Sequence, residues 1–199
     1  MNAARNRLMK KRRRRRLVIG VAAVVTGIVA GVLLGVVGDV DRAIQELTLP
    51  LRHEDIIRQQ AREKGVDAAL IAAVIYAESK FSDRTSDAGA RGLMQVTPET
   101  AKDVERHSGG TTFKVADLAD PEINIRYGTF RLRELLDRYD GDEVAALAAY
   151  NAGPGNADRW GGSQMTLEDI RFPETRAYVE EVLDKRRAYR EKYAKELGY

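Results

Sequence analysis

Twenty-one consecutive residues without a charge, Leu17 to Val37 (LVIGVAAVVTGIVAGVLLGVV), set the terms for the rest of this chain. At roughly 1.5 Å per residue such a helix reaches about 31 Å, close to the thickness of a bilayer's hydrocarbon core, about 30 Å. A helix satisfies its own backbone hydrogen bonds, so the glycines in this run are tolerable in lipid. Nine Lys or Arg crowd the 16 residues before it, Arg12 to Arg16 among them, with no acid to balance them. Basic flanks stay on the cytoplasmic side, so everything after Val37 is expected outside the cytoplasm. A cleaved signal peptide is the competing reading, although its apolar core would be shorter, about 7–15 residues.

The predicted organisation is therefore a basic cytoplasmic tail over 1–16, a membrane anchor over 17–38, a linker over 39–50 and a folded domain over 51–199. The formal charge of +3 conceals this division. Without the basic tail, residues 17–199 carry 24 basic side chains against 30 acids, a balance of −6. The high pI belongs to the tail, so nothing points to a nucleic-acid surface on the domain. There is no cysteine, which excludes disulfides, thiolate metal sites and a lipidated cysteine anchor. His53 and His107 lack ligand spacing, so no metal and no cofactor is expected.

Strand signals are scarce after residue 50 and helix punctuation is frequent. Glu54 to Lys64 reads as a helix stopped at Gly65, and Asp67 caps the next. Thr97-Pro98 and Asp120-Pro121 each pair a cap with proline at the first helical position. Asp142 caps an Ala-rich helix ending near Asn151, where Gly153-Pro154-Gly155 predicts a turn. Pro173 opens a last helix. The pair Thr111-Thr112 with Val115 supports at most a small hairpin. The fold class is all-α around a single core.

One acid stands out. In DAALIAAVIYAESKF, from Asp67 to Phe81, Leu70, Ile71, Val74 and Ile75 recur at helical spacing, and Glu78 follows Ile71, Val74 and Ile75 at seven, four and three residues. It therefore projects from the apolar face. A carboxyl group there loses hydration, which raises its pKa toward what a general acid needs. A helix-end glutamate paired with Arg84 or Arg91 reads the same residues equally well. After Glu78 comes a loop of small residues, Ala88-Gly89-Ala90 and Gly92, whose backbone can approach a neighbour or a ligand closely. Gln95 follows as a two-way hydrogen-bonding amide. At Tyr150-Asn151 a ring and an amide emerge together where a helix ends, as sugar recognition requires.

Taken in order, these blocks resemble the lytic transglycosylases of the soluble-lytic-transglycosylase type, a lysozyme-like superfamily acting on bacterial peptidoglycan. The resemblance runs from about Ile56 to Tyr189. It rests on Glu78-Ser79-Lys80-Phe81, Ser86 with Ala88-Gly89-Ala90 and GLMQ at Gly92 to Gln95, and Pro98-Glu99-Thr100-Ala101. Asp120-Pro121 with Asn124-Ile125 and Gly128, Ala148 through Gly155, and Phe172 through Arg176 with Tyr178-Val179 complete it.

The resemblance implies cleavage of the β-1,4 bond between N-acetylmuramic acid and N-acetylglucosamine in glycan strands, without water, leaving a 1,6-anhydro end. Glu78 would act as sole acid and base. Ser86, Gln95, Tyr150 and Asn151 would line the saccharide groove, and Glu174 would be a second acidic position near the site. Helix-dipole stabilisation in a first turn explains Glu174 as well. Asp83 and Asp87 leave room for a hydrolase like the goose-type lysozymes, should either position a water. A membrane-tethered, non-catalytic peptidoglycan-binding module is the third alternative.

Overall fold

The computed structural model describes residues 47–108 and 113–199. The predicted tail and anchor, the linker as far as residue 46 and the Thr111-Thr112 pair lie outside the described residues. Among the described residues no helix is long and apolar enough to cross a membrane.

Residues Leu49–Tyr199 make one compact unit. Its helices are α1 (Glu54–Lys64), α2 (Ala68–Ser79), α3 (Pro98–Ser108), α4 (Pro121–Arg138), α5 (Glu143–Ala152), α6 (Pro154–Trp160), α7 (Pro173–Lys192) and α8 (Ala194–Leu197), with 3₁₀ turns at Val115–Ala119, Gly162–Gln164 and Leu167–Asp169. No strand occurs among the described residues. Two isolated antiparallel bridges, Thr85 with Arg91 and Arg91 with Val96, tie together the loop between α2 and α3. Val115, expected in a hairpin, instead opens a 3₁₀ turn.

The predicted caps are formed. Asp67 accepts the backbone N–H of Ala69 at 2.9 Å, and Asp142 that of Ala145 at 2.7 Å. Asp120 takes two, from Glu122 and Ile123, and Thr97 Oγ1 accepts from Thr100 N–H at 3.1 Å. Each satisfies donors that a helix start leaves open. Gly153-Pro154-Gly155 turns the chain as expected, and Pro154 also starts α6. Proline at the first helical position loses no hydrogen bond, so α6 begins directly after Gly153, the cap of α5.

Helix α2 is the central rod. The spacing predicted one buried face, yet every residue from Ala68 to Ile75 is buried. Five alanines lie along it, and their small side chains let neighbours close in on all sides, as in a helix enclosed by a core. It packs most extensively on α7. Buried faces of α4 (Ile125, Leu132, Leu135) and α5 (Ala145 to Ala149) complete the same core. The start of the unit is tied to α7: the Tyr189 hydroxyl donates to Pro50 O at 2.6 Å and that of Tyr193 to Leu49 O at 2.7 Å. Asp67 and Glu143 both pair with Arg186, which joins the starts of α2 and α5 to α7. This leaves the C-terminal end of α2, with Glu78, and the loop behind it to be positioned.

Candidate active site

Glu78 lies in the last turn of α2, half-buried. Burial pushes its carboxyl up to about 7, outweighing the opposing effects of the Tyr178 hydroxyl and the Arg84 charge. Loss of hydration thus decides its protonation. Arg84 does not clamp the carboxylate; its guanidinium donates to the backbone carbonyl of Glu78. The proposed arginine pairing of this acid is therefore not what holds it.

Two tyrosines crowd the acid. Their hydroxyls are held well above the usual phenol range, first by burial and then by the Glu78 charge. The Tyr150 hydroxyl donates to Met94 O at 2.9 Å. That of Tyr178 is buried and acts on the Glu78 carboxyl as a hydrogen-bonding neighbour, although the contact is not a well-formed hydrogen bond. A buried hydroxyl left so costs free energy, which a ligand or a small shift of the carboxyl can recover.

The loop behind Glu78 is fixed by one side chain. Asn124, fully buried on α4, donates from Nδ2 to Arg91 O at 2.8 Å and Leu118 O at 2.9 Å. Its Oδ1 accepts from Met94 N–H at 2.8 Å. Gly92 runs so close that a Cβ would sit 2.1 Å from Asn124 Nδ2, and its φ of +78° also demands glycine. On α4, Gly128 leaves room for the Met94 side chain, whose sulfur would lie 2.5 Å from an added Cβ. The buried Ser79 hydroxyl donates to Leu93 O at 2.7 Å, so the residue after Glu78 is stitched to the same loop. Lys80, Phe81 and Gln95 all adopt left-handed backbone, with φ of +52°, +60° and +48°. Each costs roughly 1–2 kcal/mol, and such strain persists only where the surroundings enforce it.

The other predicted residues divide into groups. Gln95 donates its amide to Arg84 O and Gly92 O, at 3.0 and 2.9 Å, bracing the loop that carries Arg84. Gln95 and Tyr150 line one cavity of about 340 Å³ together with Thr97, Glu99, Thr100, Asp103 and Arg131. Glu78 does not line it; Tyr150 is shared between cavity and acid. Asn151 is exposed, and its Oδ1 accepts the Thr175 hydroxyl at 2.8 Å, which joins the end of α5 to the first turn of α7 beside the exposed Glu174. Ser86 is used inside its own turn, with Oγ accepting Ala90 N–H at 3.0 Å. No contact joins it to Glu78. Asp83 and Asp87 are exposed in the same loop.

Sequence reasoning missed Tyr178, Asn124 and Ser79 as parts of the site. All three lie in the quoted blocks, but a tyrosine on an apolar helix face and an asparagine in a helix reads as core and surface until the partners are known. No group of three or more His, Cys, Asp or Glu among the described residues is arranged to hold a metal.

The helical domain thus holds a half-buried glutamic acid of raised pKa next to a tyrosine that also lines a polar cavity. The sequence profile of the Transglycosylase SLT domain matches residues 55–172, and the chain belongs to that family. The soluble lytic murein transglycosylase of Salmonella typhimurium is 33% identical over 147 residues, covering 69% of this chain and 23% of that protein. The membrane-bound lytic murein transglycosylase C of Cronobacter sakazakii is 40% identical over 115 residues, or 52% of this chain and 32% of its own length. An inactive Glu→Gln mutant of the lytic transglycosylase Slt of Pseudomonas aeruginosa superposes with a TM-score of 0.71 at 34% identity, covering 75% of this chain and 26% of that one. The chain thus spans about a quarter of the Salmonella and Pseudomonas proteins.

Two stability outcomes follow from this geometry. Replacing Asn124 by alanine strands two carbonyls and one N–H in the interior, and is expected to cost about 2–4 kcal/mol in urea unfolding. Glu78 holds its proton more tightly folded than unfolded, so its share of stability is complete below its unfolded pKa and falls as pH rises toward about 7. Glu78→Gln should therefore stabilise the protein at pH 8, by up to about 3 kcal/mol, and leave it nearly unchanged at pH 4.

Proposed function

We propose that this protein is a peptidoglycan lytic transglycosylase, held at the membrane by residues 17–38, that cleaves the β-1,4 bond between N-acetylmuramic acid and N-acetylglucosamine with Glu78 as its only acid and base. The observation that carries the reading is a half-buried carboxyl at the end of α2, its pKa pushed up to about 7, that acts on the buried Tyr178 and the part-buried Tyr150. Family membership, and a relative described as inactive when one glutamate becomes glutamine, support it. The membrane-bound relative and the uncharged run of 17–37 support the anchor.

In this reading Glu78 gives its proton to the glycosidic oxygen as the bond to C1 of the muramoyl sugar breaks. The muramoyl acetamido oxygen takes the place of a protein nucleophile at C1, so the usual second carboxylate is not needed. The Glu78 carboxylate then removes the proton of the C6 hydroxyl, whose oxygen closes onto C1 and releases the acetamido group. No water is consumed and Glu78 ends protonated. The desolvation that keeps the proton on in the ground state also makes the carboxylate a competent base one step later. Tyr178, whose hydroxyl already acts on Glu78, can donate a full hydrogen bond to that carboxylate as it forms. The cavity of Gln95, Tyr150 and Thr97 would take neighbouring sugars, with Asn151, Glu174 and Ser86 as the further residues proposed to meet the glycan.

Digestion of purified peptidoglycan by the full chain is expected to release muropeptides ending in 1,6-anhydromuramic acid, each one water lighter by mass than the product of hydrolysis. Reducing muramic acid ends would point instead to a hydrolase served by Asp83 or Asp87. Glu78→Gln should lower turnover by a factor of about 10² or more while sparing glycan binding. The acid must enter protonated, so kcat/KM for the wild type should fall about tenfold per pH unit above about 7. Turnover of Glu78→Gln at the wild-type rate would remove Glu78 from its role.

A further inference from the structure

We infer that the C-terminal half of α7 is a docking surface for anionic lipid headgroups, separate from the glycan site. The inference goes beyond cleavage and rests, for its geometry, on reading 17–38 as a membrane anchor. Residues 185–195 hold six basic side chains and one acid, Glu191, in a chain whose residues 17–199 are net −6. Arg186, Arg187 and Arg190 line a cavity of about 340 Å³ with Leu183. Lys192 and Lys195 are exposed beyond it, and Arg58 reaches the same end of the helix, donating to Glu196 O.

The acids nearby neutralise this face only in part: five of them (Asp67, Glu143, Asp184, Glu191 and Glu196) stand against Arg58 and the six basic side chains of 185–195, which leaves a basic excess of two. Asp67 and Glu143 are taken up by Arg186, and Arg190 is 3.4 Å from Asp67 while its guanidinium lies over the Tyr199 ring. Arg187 pairs with Asp184, but those side chains are 74% and 68% exposed, so the pair is weak and open to exchange. Glu191 and Glu196 are outnumbered. A guanidinium keeps several donors in a planar fork after one pairing, and that fork suits a phosphate.

What meets this face follows from where the chain enters the domain. Tyr189 and Tyr193, within the basic stretch, hold Pro50 and Leu49. Leu49 is eleven steps along the chain from Gly38, a span of at most about 40 Å when fully extended. An anchored domain therefore keeps this end of α7 within that reach of the bilayer, where phosphates are dense.

The absence of cysteine makes the test direct. The full chain carrying Lys192→Cys, or Glu168→Cys near the start of α7, is labelled with a fluorophore and reconstituted into vesicles containing a headgroup-attached quencher. On phosphatidylglycerol vesicles the label at 192 should be quenched several-fold more than that at 168. The difference should vanish on phosphatidylcholine alone and fade near 1 M salt, where the screening length is about 3 Å. Each of Arg187→Gln and Lys195→Gln should weaken the docked state roughly fivefold with an unchanged thermal melt. Equal quenching on both lipids, stronger quenching at 168, or a response to soluble polyphosphate but not to vesicles would overturn the proposal. Release of the chain by alkaline carbonate would refute the anchor alone; the released chain, added back to phosphatidylglycerol vesicles, must still show the 192 signal if the docking surface is real.

Discussion

The buried amide of Asn124 holds the candidate site in one arrangement. It takes one N–H and fills one carbonyl of a loop that has almost no regular structure, and its other amide hydrogen goes to Leu118 O in the 3₁₀ turn before α4. An irregular segment pressed against a core must satisfy its backbone polar groups one by one, and here a single side chain does so for two of them while tying the loop to that turn. With Met94 fixed, its carbonyl receives Tyr150 and its side chain fills the hollow over Gly128. Leu93 next door receives Ser79. The end of α2, the loop and the end of α5 are thereby referenced to one another, and Glu78 is held where they meet.

That rigidity has an electrostatic consequence. The Glu78 carboxyl has one buried hydroxyl and one cation close enough to favour its charged form, and loss of water still prevails. Had Arg84 reached the carboxylate directly, an opposite charge at contact would have lowered the pKa by roughly 1–3 units. Its guanidinium is engaged by the Glu78 carbonyl instead, while its own carbonyl is held by Gln95. A residue predicted to touch sugar thus also braces the loop that carries this arginine.

Most of the fold could be read before the structure, because caps and prolines carry local information. Asp67, Thr97, Asp120 and Asp142 each act on donors two or three residues away. The projection of Glu78 from apolar neighbours was likewise a matter of helical period. What could not be read depends on contacts between distant segments. Burial of α2 on every side requires α7, and the roles of Asn124 and Tyr178 require the loop and the acid they face. The turn at Gly153-Pro154-Gly155 was legible, whereas the short helix α6 that Pro154 opens was not. Ser86 was singled out by its block, yet its hydroxyl serves its own turn.

The account stands on how tightly Glu78 keeps its proton, and carbon-13 NMR of its side-chain carboxyl, followed through a pH titration of the full chain, measures that without reference to any substrate. The predicted midpoint is about 7, moving lower if the Asn124 clamp is loosened and water reaches the loop. A midpoint in the ordinary range for glutamate, about 4.3, would mean a solvated or ion-paired side chain and would contradict the account.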